Sequence, residues 1–143
     1  MRRLTVQNFM TLGPVVIGSD RPLAEAHRVM RERSIRHLPV VDGGRLVGML
    51  SQRDLYLCET LKGVDPASEP VREAMTPEPY VVAPDAALDE VAGTMAQRKL
   101  GSAVVVDRGQ VVGLFTTVDA LRALSGLVRR RNGRRATNPE RVG

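Results

Sequence analysis

The sequence predicts a mixed α/β fold of the α+β kind, with two copies of a strand–helix–strand–strand–helix unit packed as one pseudo-twofold module. The first observation is a self-match. Shifted by 65 residues, positions 6–54 meet 71–119 without a gap, and 17 of the 49 pairs are identical, far above the roughly 6% expected from background composition. The second is a hydrophobic share of 43% in 143 residues, which supplies a core. The third is size: a unit of roughly 50 residues is too small to close a core alone, so the copies should bury their sheets against each other.

Each element can be read in one copy and checked in its twin. Val81-Val82 reads as a short strand, Asp85 as a helix N-cap, and Leu88, Val91, Ala92 and Met95 recur at helical spacing. The first copy repeats this with Asp20 as cap, Pro22 in the first turn, and Leu23, Ala26, His27 and Met30. Two strands follow in each copy, 38–41 and 46–50, then 103–106 and 111–115. They are joined by Asp42-Gly43-Gly44 and Asp107-Arg108-Gly109, where glycine supplies the positive φ of a tight hairpin. A second helix starts near Asp54 and Asp119, with Leu55, Cys58 and Leu61 in one copy and Ala120, Leu124 and Leu127 in the other on its apolar face. The expected boundaries are 1–62 for the first repeat, 63–70 for a turn-rich linker, 71–128 for the second repeat, and 129–143 for a basic, solvated and mobile tail.

Composition removes several function classes. Aromatics at 3% with no Trp exclude wide stacking platforms for single-stranded nucleic acid. One cysteine, Cys58, excludes a disulfide framework or a multi-cysteine zinc site. No apolar run approaches the roughly 18 residues of a membrane helix, and polar residues follow Met1-Arg2-Arg3-Leu4, so a cytoplasmic protein without a membrane partner is expected. The net charge of +5 divides unevenly: residues 1–119 carry 14 basic and 15 acidic side chains, residues 120–143 seven Arg and one Glu. Nucleic-acid binding through Arg129–Arg135 is therefore the alternative reading, set against a near-neutral body.

The chemistry-bearing motif lies where each hairpin enters its second helix, as Gly48-Met49-Leu50-Ser51-Gln52-Arg53-Asp54 and Gly113-Leu114-Phe115-Thr116-Thr117-Val118-Asp119. A helix N-terminus favours an anion, a hydroxyl adds a hydrogen bond, and a carboxylate can hold the two hydroxyls of a ribose. The same residues also suit ordinary capping, with Ser51 or Thr116 as N-cap and Asp in the first turn. No catalytic triad, paired-carboxylate acid/base site, phosphate loop or metal cage is assembled, and Cys58 has no assignable base, so neither catalysis nor a required cofactor is expected.

Met-Thr before the first strand (Met10-Thr11, Met75-Thr76), Leu38-Pro39-Val40-Val41-Asp42 and the Gly-x-x-Ser/Thr-x-x-Asp endings, in two in-register copies, resemble the tandem cystathionine-beta-synthase (CBS) domain pair, or Bateman module. The resemblance covers residues 6 to about 127. It implies paired clefts for adenosine-containing ligands (AMP, ADP or ATP, with S-adenosylmethionine or NAD as alternatives) and a regulatory sensor acting on a protein the sequence does not name. It implies that Asp54 and Asp119 hold ribose, with Ser51 and Thr116 beside ribose and phosphate. It also implies that Ile17, Leu38 and Pro39 in one copy, and Val82, Ala103 and Val104 in the other, enclose adenine. Arg36, His37 and Arg53 would meet phosphate, where the second copy has Gly101, Ser102 and Val118. A homodimer through the closing helices is expected from both the resemblance and their apolar surplus.

Overall fold

The computed structural model describes residues 3–136. Two short strands open each copy, β1 (Thr11–Leu12) and β2 (Ile17–Gly18) in the first, β5 (Thr76–Pro77) and β6 (Val81–Val82) in the second. Helix α1 (Leu23–Arg33), the hairpin β3 (His37–Asp42) and β4 (Arg45–Ser51), and helix α2 (Gln52–Lys62) complete the first. Helix α3 (Leu88–Arg98), β7 (Ser102–Asp107), β8 (Gln110–Thr116) and α4 (Thr117–Ala136) complete the second. The hairpins are antiparallel and turn through Gly43-Gly44 and Arg108-Gly109, all four at positive φ as a two-residue loop of this hand requires.

The strand order shows what the repeat pattern could not. Sheet one runs β2-β3-β4-β5 and sheet two β1-β8-β7-β6, so each copy lends its opening strand to the other. Thr11 pairs with Leu114, and Thr76 with Met49. Val6 is fully buried in the core of α3, β7, β8 and α4, while Val71 is fully buried among Leu23, Leu38, Leu50 and Leu55 of the first copy. The sequence repeat and the folded core are therefore different stretches of chain. A third cluster of Met49, Val104 and Leu114, flanked by Leu46, Val106 and Val111, joins the faces of the two sheets.

Two repeated residues explain the exchange. A methyl group on Gly48 would lie 2.5 Å from the Met75 sulfur and 2.9 Å from the Thr76 carbonyl oxygen; one on Gly113 would strike the Met10 thioether. The Met-Thr and Val-Gly signatures of opposite copies are thus one packing contact made twice.

Three expectations need correcting. Asp20 and Asp85 do not cap α1 and α3, whose N-cap positions are Pro22 and Ala87. Leu23 N donates to Glu69 O and Ala24 N to Pro66 O, and Leu88 N to Leu4 O, so distant carbonyls take the amides a local aspartate would have taken. Leu61 is 78% exposed and Leu124 58%, because the closing helices carry them onto the outer face rather than into a core. Finally, α4 continues through Arg129–Ala136, part of the segment expected as a mobile tail, since Arg is a good helix former and no proline intervenes. Residues 137–143 lie outside the described residues.

Gly113→Ala should destabilise the protein by about 1–3 kcal/mol, as overpacking does. Adding Met10→Ala should recover part of that loss, because the three atoms nearest the new methyl all belong to the Met10 side chain. Gly48→Ala with Met75→Ala should recover less, since the Thr76 backbone carbonyl remains in place. Urea denaturation of the four single variants and the two double variants, against wild type, measures both couplings.

Candidate functional site

The two junctions open α2 and α4, and both fold as reciprocal caps. Ser51 N donates to Asp54 Oδ2 at 2.9 Å, and Asp54 N donates to Ser51 Oγ at 3.1 Å. Thr116 N and Oγ1 donate to Asp119 Oδ2 at 2.9 and 3.2 Å, and Asp119 N to Thr116 Oγ1 at 3.3 Å. The amide one residue into each helix is also occupied: Gln52 N donates to Arg36 O and Thr117 N to Gly101 O. Most of what a bare helix N-terminus offers an anion is therefore already bonded.

The two carboxylates differ in what remains. Asp119 is 5% exposed, its Oδ1 accepts from Thr11 Oγ1 at 3.3 Å, and Arg122 stands 4.0 Å away. Thr11 reaches it because the exchanged strand β1 runs alongside β8. Asp54 is only half-buried, and its Oδ1 has no hydrogen-bond partner among the described residues.

The basic residues expected near phosphate gather at the Asp54 junction. His37 opens β3 and pairs across the hairpin with Ser51. Arg36 and Arg53 are exposed, and their guanidinium groups form no ion pair or hydrogen bond among the described residues. Burial pushes the His37 imidazole below its ordinary range, against the pull of the Asp54 carboxylate and with help from the Arg36 charge. The His37 ring lies against Gly101 of the other copy, where an added methyl would meet Nε2 at 2.9 Å. The second copy places half-buried Ser102 and exposed Val118 at the matching positions, so the contrast in charge persists in space.

The residues expected around adenine occupy β2, β3, β6 and β7. Ile17 pairs with Val40 and Val82 with Val105, beside Leu38-Pro39 and Ala103-Val104. Leu38, Pro39, Ala103 and Val104 are fully buried, and Ile17 is nearly so. Leu38, Ile17 and Ala103 face their helices, whereas Val104 lies between the sheets.

Sequence reasoning matched His27 with Ala92 of the other copy but missed what the difference does on the helical face. In the first copy His27 Nε2 lies 2.5 Å from Glu59 Oε1, tying α1 to α2, with the Tyr56 ring 5.9 Å from the imidazole. The matching residues of the second copy are Ala92 and Leu124, and there two apolar grooves of about 450 and 490 Å³ flank the α3–α4 line. Neither groove is lined by Asp54 or Asp119. The signal lay in aligning the repeats by difference rather than by identity. Among the described residues no group of three or more His, Cys, Asp and Glu is placed to hold a metal ion, and no helix is long and apolar enough to cross a membrane.

Asp119→Ala should cost about 1–3 kcal/mol of stability, because it removes a cap and leaves the Thr11 and Thr116 hydroxyls without their acceptor. Asp54→Ala should cost about 1 kcal/mol, the cap alone. Equal losses in denaturant titrations would show that the Thr11 contact adds nothing.

The family model of the CBS domain matches residues 6–57 and 71–126. CBS domain-containing protein YhcV of Bacillus subtilis is 30% identical over 115 residues, 80% of this chain and 81% of that protein. An inosine-5'-monophosphate dehydrogenase of Korarchaeum cryptofilum is 32% identical over 114 residues, but the chain spans only 23% of its length. Among solved structures, the CBS domain pair of protein MJ0100, in complex with 5'-methylthioadenosine and S-adenosyl-L-methionine, superposes with a TM-score of 0.79 at 27% identity, covering 87% of this chain and 98% of that one. CBSX2 in complex with AMP superposes with a TM-score of 0.73 at 28% identity, covering 86% and 97%.

Proposed function

The chain belongs to the CBS domain family and is built as a CBS domain pair, and from that premise we propose that it is a non-catalytic sensor of an adenine nucleotide of the AMP, ADP or ATP class. The observation that carries the reading is the state of the Asp54 junction. Its carboxylate keeps one oxygen unengaged and acts on the His37 imidazole, and the adjoining Arg36 and Arg53 carry unpaired guanidinium groups. A ribose offers donors to the carboxylate, and a phosphate neutralises the cations. Solved relatives that hold AMP, S-adenosyl-L-methionine or 5'-methylthioadenosine support an adenosine ligand, and the local positive charge favours the anionic members of that class. In this reading Asp54, Ser51, Arg36, His37 and Arg53 bind the ligand, and the backbone around Ile17, Leu38 and Pro39 shapes the adenine pocket. The Asp119 junction, with Thr116, Ser102, Val82, Ala103 and Val104, is the weaker site, because Thr11 competes for its carboxylate. We place the protein in the cytoplasm, where the buried thiol of Cys58 stays reduced.

Isothermal titration with AMP, ADP, ATP and guanosine counterparts tests the assignment. Adenine nucleotides should bind, guanine nucleotides less well, and Asp54→Ala should weaken binding by about 1–3 kcal/mol. No heat and no thermal stabilisation with any adenosine compound at millimolar concentration would remove the sensor reading.

Sensing requires two states that the ligand distinguishes, and the helical faces offer the means. Tyr56, Leu57 and Leu61 on α2 and Leu121, Leu124 and Val128 on α4 are exposed apolar residues, Leu121 at 64%, and we read them together as one belt of the two closing helices. In the proposed function this belt closes a homodimer, whose contacts ligand occupancy alters. Light scattering at micromolar concentration should report a dimer, and Leu121→Glu with Leu124→Glu should return it to the 15.6 kDa monomer. A wild-type mass equal to the monomer would rule the dimer out.

A further inference from the structure

Resting on the adenine-nucleotide reading of the Asp54 junction, we propose that His37 reads the charge of the ligand: it takes up one proton from solvent as an anionic group docks beside it, so that nucleotide binding is proton-linked and tightens as pH falls.

The geometry supports this from three sides. His37 is the first residue of β3, opposite Ser51, and the carbonyl of its neighbour Arg36 holds the first amide of α2, so the backbone that carries the imidazole is fixed beside the Asp54 junction. Across the pseudo-twofold, Gly101 leaves room for the ring, with Nε2 only 2.9 Å from where a methyl would stand. The ring is positioned by packing, since neither nitrogen has a hydrogen-bond partner among the described residues. No side-chain nitrogen or oxygen there is both buried and unpartnered, so the polar edge of this half-buried ring opens to solvent. An imidazole held in place with its nitrogens unbonded is ready for a ligand atom.

The charged groups acting on His37 are Arg36, the residue before it, and Asp54 from α2; the start of β7 brings Ser102 and the preceding Gly101, neither of which titrates. In the free protein burial and Arg36 favour the neutral ring, and Asp54 alone opposes them. An anion within about 4–6 Å reverses that balance by favouring the charged form. The sign follows. The free imidazole titrates below its ordinary range and the bound one above the free value, so affinity is greatest below the free value and falls as pH rises through the interval between them. A ligand without negative charge leaves the balance unchanged, so proton uptake is confined to anionic ligands.

The test uses the full chain, with AMP and adenosine as probes, titrated at several pH values from mildly acidic to neutral in two buffers of different ionisation enthalpy. Wild-type protein should take up protons with AMP and none with adenosine. His37→Gln should lose the excess uptake over that expected from the AMP phosphate itself, weaken AMP binding about tenfold as a lost charged hydrogen bond does, and leave adenosine binding unchanged. His37→Lys, with a permanent charge, should keep the preference for AMP while losing the proton linkage. Equal proton counts for wild type and His37→Gln, or an equal loss of AMP and adenosine binding in that variant, would overturn the proposal while leaving the site in place. Failure of wild-type protein to bind either probe would overturn both.

Discussion

Each copy can bury its opening segment only in the other copy, and the rest of the architecture depends on that constraint. Without β1, β8 would be an open edge with unpaired amides and carbonyls, and without β5 the same would hold for β4. Val6 and Val71 complete cores to which their own repeats do not belong. A unit of this size is short of apolar surface, and the exchange supplies it twice while making the halves inseparable. Because the crossings are covalent and held by Met10 on Gly113 and Met75 on Gly48, the line where the copies meet is set by the chain itself. That line carries His37 and Gly101, so the candidate site inherits its precision from the exchange.

The exchange is symmetric, yet the two junctions end unequal. Serine or threonine followed three residues later by aspartate satisfies helix amides before it does anything else, and in both copies the backbone bonds of the cap are made. Capacity for a ligand is what remains. Thr11 arrives on β1 and occupies the outer oxygen of Asp119, whereas Thr76, its counterpart on β5, makes no such bond to Asp54 among the described residues. In the proposed site, capping and ligand binding would be successive uses of one carboxylate, and only Asp54 keeps an oxygen unengaged for the second.

Elements governed by local chemistry were legible in the sequence. The hairpins follow from Gly43-Gly44 and Arg108-Gly109, the helices from their apolar spacing, and the order of all elements except the short strands β1 and β5 from agreement between copies. What escaped was non-local. The true partners of the α1 amides are carbonyls of Pro66 and Glu69, more than forty residues downstream, and no local pattern distinguishes them from an Asp20 cap. Met10 could be matched to Met75 as a repeat but not to Gly113 as a contact, because self-similarity reports equivalence rather than proximity. At the site, the charge contrast between Arg36, His37 and Arg53 and their counterparts was readable; the closure of Asp119 by Thr11 depended on the same unseen crossing.

The differences between the copies fall on two surfaces with a consistent sense. At the junctions the first copy has Arg36, His37 and Arg53 against Gly101, Ser102 and Val118, and on the helical face it has His27 and Glu59 against Ala92 and Leu124. The first copy is therefore the more polar of the two at both places, and the second the more apolar. An anion is attracted most strongly where cations have no protein partner, whereas an apolar contact gains most where grooves and exposed leucines adjoin. Those two conditions are met on opposite copies, joined by crossed strands through a common sheet interface of Met49, Val104 and Leu114. Small displacements at one copy must then be absorbed by close-packed residues shared with the other. A module divided in this way offers unpartnered positive charge at the junction of one copy and grooved apolar surface along the helices of the other, with a shared core between them.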